Sequence, residues 1–130
     1  MIVLPLDIRA RLVANRSRYD LPGHDPAPVL KLFSPLGAAT WLATELCGDG
    51  DSLFGLADLG FGCPELGYFS LRDIGSVRLP FGLFIERDKA FSSDIPLSRW
   101  ADLARREGSI LAAEAALRGA PKLPPGDPGG

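Results

Sequence analysis

Apolar and polar positions along the chain change period several times, and each change marks an element. Ile8, Leu12, Asn15 and Tyr19 recur at helical spacing, which predicts a helix from about Pro5 to Arg18, with Arg9, Arg11, Arg16 and Arg18 spread over its remaining, solvated surface. Pro5 suits the first helical position, where a missing N–H is no loss, and Asp7 favours the positive end of the helix dipole. The stretch from Tyr19 to Pro28 holds Pro22, Gly23, Asp25 and Pro26 and reads as a loop. Val29 to Phe33 reads as a strand. After the Ser34-Pro35-Leu36-Gly37 turn, Ala39 to Cys47 alternates, with Trp41, Ala43 and Glu45 on one side and Leu42, Thr44 and Leu46 on the other.

The turn Cys47 to Ser52 and the strand Leu53 to Leu59 complete an expected hairpin. With the reversal near Asp49 and Gly50, Trp41 falls opposite Asp58 and Glu45 opposite Gly55, while the face taken by Asp58 depends on a register that the pattern leaves open. Gly60 to Pro64 breaks the sheet, Gly67 to Leu71 forms a fourth strand, Arg72 to Val77 a helical turn, and Phe84 to Arg87 a short edge strand. Leu97 to Glu107 is helical, with Ser98 as N-cap and Trp100, Leu103 and Ala104 on one face. Ile110 and Leu111 continue that face, so the helix is expected to run past Gly108 to Leu117, with Gly108 as a weak point, before Gly119 and Pro121 stop it. The fold class is α+β: a small antiparallel sheet of four to five strands, with an N-terminal and a C-terminal helix. Residues 1–118 form one domain and 119–130 a disordered Pro/Gly tail.

Composition changes this picture little. At 130 residues, with 46% hydrophobic and 23% charged positions, the chain is long enough for a core of its own. A net charge of −2 gives no electrostatic reason to expect nucleic acid as a partner. The opening Met1 to Leu6 is too short for a secretory core and is interrupted by Asp7 and Arg9, and no apolar run approaches a membrane span. A cytoplasmic location follows as the expectation, with Cys47 and Cys63 as reduced, half-buried thiols. These cysteines and the one histidine, His24, are too few for a zinc site, so no cofactor or metal is expected. His24, alone in a loop beside Asp25, is expected to face solvent.

The strongest charge asymmetry lies between Lys31 and Arg72, where there is no basic residue while Glu45, Asp49, Asp51, Asp58 and Glu65 all occur. Acids on the wet side of a half-exposed sheet explain this most simply. Glu45 and Asp58, joined by Glu65, would alternatively serve a small metal-assisted enzyme acting on nucleic acid, although no lysine or histidine partner is evident. Asp49 and Asp51 match only a fragment of a calcium loop. Gly60-Phe61-Gly62 lacks the remaining glycine and Lys-Ser/Thr ending of phosphate loops, and no serine has a nucleophile-elbow context.

Several segments in order resemble one bacterial family, domain of unknown function 2958, over about residues 3–110: Leu32-Phe33-Ser34-Pro35, Ala39-Thr40-Trp41-Leu42, Thr44-Glu45-Leu46, Leu53 to Gly60, and Pro64-Glu65-Leu66-Gly67-Tyr68. The chain departs from the family pattern at Leu4-Pro5-Leu6, where a Thr-Pro-Glu type of cap is expected, and in its C-terminal extension. The resemblance implies cargo of plasmids, phages and integrative elements, often beside anti-restriction and DNA-processing domains. It carries over no catalytic residue, but singles out Trp41, Glu45, Asp58, Glu65 and Tyr68. The favoured expectation is a non-enzymatic accessory or anti-defence module that binds a protein partner through an acidic, aromatic-bearing sheet face. A carboxylate-based enzyme and a structural domain of larger fused proteins are the alternatives.

Overall fold

A computed structural model describes residues 2–119, and the expected tail lies outside them apart from Gly119. The order of elements is α1 (Leu6–Arg16), β1 (Leu30–Phe33), β2 (Thr40–Leu46), β3 (Ser52–Asp58), β4 (Glu65–Ser70), α2 (Leu71–Ser76), a 3-10 turn (Pro80–Gly82), β5 (Glu86–Arg87), α3 (Leu97–Glu107) and α4 (Ile110–Gly119). The strands form one antiparallel sheet in the order β4-β3-β2-β1-β5, so the fold is α+β as the hydrophobic pattern predicts. Consecutive hairpins lay down β1 to β4, and β5 returns beside β1.

Both faces of this sheet are covered. On one, Leu12 of α1 and Ile74 of α2 join Leu30, Leu32, Trp41, Ala43, Leu46 and Leu53 in a single apolar cluster. On the other, Leu42 and Leu56 pack against Leu97, Trp100, Ala101, Leu103 and Ala104 of α3 and Ile110 and Ala113 of α4. As a result every residue of the central strand β2 is buried. The half-exposed sheet expected from the alternation is therefore corrected: α1 and α2 cover the Trp41 face that was expected to be wet, and the apolar stripe of the C-terminal helices covers the Leu42 face. Lys31 of β1 is buried on that face, and its Nζ donates to both Glu114 carboxylate oxygens of α4 at 2.8 and 3.0 Å. Trp41 is likewise a core residue, 8% exposed.

The C-terminal helix is two helices. Gly108 takes a left-handed φ of 94° and its N–H returns to Ala104 C=O, which closes α3. Ser109 then caps α4, its Oγ accepting from Ala112 N–H at 2.9 Å. Ser98 is not the cap of α3. Instead Asp25, from the distant 17–29 loop, accepts from Ser98 N–H at 3.0 Å and from the Ser98 hydroxyl.

The β2–β3 pairing holds a β-bulge at Thr44, since Ala43 lies opposite Gly55 but Glu45 lies opposite Phe54. The bulged backbone comes so close to β3 that a Cβ on Gly55 would stand 1.8 Å from Leu42 C=O, whereas one on Gly67, the neighbouring residue of β4, would meet nothing within 4 Å. Gly55→Ala is therefore expected to abolish the cooperative unfolding transition, while Gly67→Ala shifts stability by less than about 1 kcal/mol. Thermal and urea unfolding of the two variants measures the contrast; equal effects would remove the bulge as the cause.

Candidate functional site

An antiparallel ladder places directly opposed residues on the same face. Glu45, Phe54 and Tyr68 are opposed across β2, β3 and β4 and so form one row. The bulge decides which face the row occupies. Trp41, Ala43 and Leu46 all belong to the α1-side cluster, so the extra residue at Thr44 reverses the alternation and sends Glu45 to the side of Leu42. Trp41 and Glu45 thus lie on opposite faces, and the expected register is one residue out: Trp41 opposes Ala57 and Asp58 opposes Thr40. No periodic reading anticipates an inserted residue.

Glu45 is 3% exposed and both of its oxygens are engaged. Arg16 Nη1 donates to Oε1 at 3.2 Å, and His24 Nε2 donates to Oε2 at 2.8 Å. The same Arg16 Nη1 lies 3.0 Å from the Tyr68 hydroxyl. The guanidinium is 4.1 Å from the Tyr19 ring centroid and 5.6 Å from that of Tyr68, while Tyr68 packs on Phe54 at 5.1 Å. The Tyr68 hydroxyl, with the Glu45 carboxylate, pushes the Arg16 guanidinium further above its already high range, so its charge is permanent. Asn15 on the preceding position of α1 donates to Thr44 C=O at 2.9 Å and thereby satisfies the bulged backbone.

These contacts correct two expectations. His24 is not a solvated loop histidine; the turn that donates His24 N–H to Leu21 C=O directs its ring onto Glu45. Arg16 is not part of a solvated arginine face. The signal for both was a carboxylate inside an otherwise apolar strand, because a buried charge demands partners.

The other sequence-predicted residues do not assemble around Glu45. Asp58 is fully buried and holds α4: its Oδ2 accepts from Ile110 N–H and its Oδ1 from Gly60 N–H, each at 2.9 Å. Glu65 is exposed at the start of β4, opposite Ala57 and on the α1 side, beside Leu59, Phe61 and Cys63. The expected acidic face is therefore not formed, since Glu45 and Asp58 are interior and only Glu65 and Tyr68 of the five candidates reach solvent. Among the described residues, no group of three or more His, Cys, Asp or Glu side chains converges as metal ligands would. Cys47 is half-buried, as expected, but Cys63 is exposed; β3 separates them, so no disulfide joins them.

What surfaces above the buried carboxylate is an open sheet edge. Leu71 N–H bonds to Asp51 C=O, so by the alternation of an antiparallel ladder Phe69, Gly67 and Glu65 also turn their backbone groups toward β3. Those of Leu66 and Tyr68 point away, along the outer side of β4, which has no neighbouring strand among the described residues, and Ser70 leads into α2 as its N-cap. The Leu66 and Tyr68 side chains beside them are 40% and 59% exposed.

Fold and site together define a small α+β domain in which a buried carboxylate fixes an aromatic residue on a free sheet edge. The model of a family described as a protein of unknown function, DUF2958, matches residues 3–111, and the chain belongs to that family. No curated protein and no solved structure matches it. No helix among the described residues is long and apolar enough to cross a membrane.

Removing the Glu45 carboxylate leaves Arg16 and His24 without their shared acceptor. Glu45→Ala is expected to cost about 3–5 kcal/mol in urea denaturation, with Glu45→Gln losing less because it keeps one acceptor oxygen. A loss below about 1 kcal/mol, the range of solvated pairs, would contradict the buried network.

A second prediction concerns the β2–β3 turn. Donation from the Ser52 hydroxyl, then from the Ser52 and Asp51 N–H groups, lowers Asp49 from 3.8 to about 2. The Ser70 hydroxyl and Arg72 N–H lower Asp51 in the same way. A depressed carboxylate contributes stability that is complete above its unfolded value and is lost as pH falls through the folded one. Stability of the wild type should therefore fall between pH 3.8 and about 2, with a shallower fall in Asp49→Asn, as acid titration of the unfolding midpoint will show.

Proposed function

We propose that the protein is a non-enzymatic binding module that receives an extended segment of a partner protein along the outer edge of β4. One observation carries this reading: β4 presents outward backbone donors and acceptors at Leu66 and Tyr68, with both side chains exposed beside them. Such an edge is a ready template for strand addition, in which main-chain bonds supply affinity and alternate side chains supply selectivity. Proteins usually protect edges of this kind with lysine, proline or a covering helix, and β4, Glu-Leu-Gly-Tyr-Phe-Ser, contains neither lysine nor proline.

The buried network supports the same role. Arg16 anchored on Glu45 holds the Tyr68 hydroxyl, so the ring is pre-positioned, and a fixed aromatic loses little entropy on binding. Glu65 remains on the surface as the acidic contribution to recognition, and Trp41 and Asp58 act through the core. A cytoplasmic accessory or anti-defence role in a mobile element is the setting that this reading adopts. The carboxylate-enzyme alternative has no geometric support, because Glu45, Asp58 and Glu65 point into three different surroundings.

Leu66→Pro tests the edge directly, because it deletes an outward N–H that the sheet does not use. The variant is expected to keep the wild-type fold yet lose at least about tenfold in affinity for any partner isolated with the wild type, with Tyr68→Ala behaving alike. In the wild-type complex, the amides of Leu66 and Tyr68 should gain hydrogen-exchange protection. Unchanged affinity in a folded Leu66→Pro variant, with unprotected β4 amides, would overturn the proposal.

A further inference from the structure

A second surface lies at the end of the sheet formed by the β2–β3 turn. There, a hollow of about 340 Å³ is bounded by Arg9, Val13 and Arg16 of α1 and by Cys47, Gly48 and Gly50 of the turn. Arg9 and Arg16 are separated by two helical turns and so share one stripe of α1. Arg16 spends only Nη1 on Glu45 and Tyr68, and its remaining N–H groups are not used by those bonds. Arg9 makes no ion pair among the described residues, and its Nη2 lies close over the turn, 3.4 Å from where a Cβ on Gly50 would stand.

The turn's own acids form no ion pair with these arginines among the described residues. The Asp49 carboxylate is occupied by Asp51 N–H, Ser52 N–H and the Ser52 hydroxyl, and that of Asp51 by Ser70 and Arg72 N–H. The turn bonds run from Gly50 N–H to Cys47 C=O and from Cys47 N–H to Ser52 C=O, so the Gly48 N–H has no acceptor among the described residues. Nothing lies within 4 Å of a Cβ built on Gly48, so the space beside its Cα is open. Val13 and Leu46 provide an apolar wall.

We propose that this hollow binds a small phosphate-bearing molecule, either free phosphate or a mononucleotide. Arg9 supplies a charge that no ion pair holds, and Arg16 and Gly48 N–H supply further donors. A forked guanidinium beside a free backbone N–H suits tetrahedral oxyanions, and the volume falls in the range of small-ligand sites. The hollow shares Arg16 with the Glu45 network, but Arg9 takes no part in that network, so an Arg9 variant tests the hollow apart from the β4 edge.

Titration of the ¹⁵N-labelled full chain at low salt, separately with inorganic phosphate and with AMP, provides the test. Shifts should concentrate at Gly48, Asp49, Gly50 and the Arg9 side chain. Tighter binding of AMP would assign the site to a mononucleotide, and tighter binding of phosphate would assign it to the free ion. Arg9→Gln should weaken the preferred probe about tenfold, the loss of one charge-assisted bond. Absence of shifts in the turn with both probes, or equal affinity in a folded Arg9→Gln variant, would overturn the proposal.

Discussion

The architecture around the candidate site depends on one inserted residue. The bulge at Thr44 reverses the side-chain alternation of β2, so that Leu46 joins the core under α1 while Glu45 turns to the opposite face. That reversal requires Gly55 on the neighbouring strand, because no side chain fits against the displaced backbone. It also requires Asn15, which bonds to the Thr44 carbonyl from α1. A carboxylate placed in a buried row then draws Arg16 from the last turn of α1 and His24 from the following loop. The ion pair offsets desolvation and also fixes the path of the chain between α1 and β1.

The proposed function rests on what this arrangement leaves outside. With Glu45, Asp58 and Trp41 enclosed, the exposed chemistry is a free strand edge carrying Leu66 and Tyr68, and an arginine-lined hollow beyond the hairpin turn. Both surfaces share Arg16, which touches Glu45, Tyr68 and the hollow at once. Rigidity of the buried cluster therefore bears on both.

Much of the fold was legible in the sequence because its hydrophobic periods are clear. The helical spacing of Ile8, Leu12 and Asn15, the hairpin around Asp49 and Gly50, and the apolar stripe of Trp100, Leu103 and Ala104 all reappear within a residue or two of their expected limits. The site was less legible, for identifiable reasons. A period-two pattern has no means of showing an extra residue, so the Thr44 bulge shifted every face assignment after it. Asp58 looked like surface acid because its partner, Ile110 N–H, lies far along the chain. His24 looked like a loop residue because its partner belongs to a strand that the pattern had turned toward solvent. Helix α4 was read as an extension of α3, although Gly108 as a stop and Ser109 as a cap were local signals of a separate helix.

The most direct measurement is a long-range ¹H–¹⁵N correlation spectrum of the His24 imidazole, recorded at mildly alkaline pH for the wild type and for Glu45→Gln. A bulged strand that brings Glu45 onto His24 predicts a proton held on Nε2, protected from exchange in the wild type and altered in the variant. A rapidly exchanging imidazole with the same spectrum in both proteins would contradict it, and would return Glu45 to the face on which an uninterrupted strand places it.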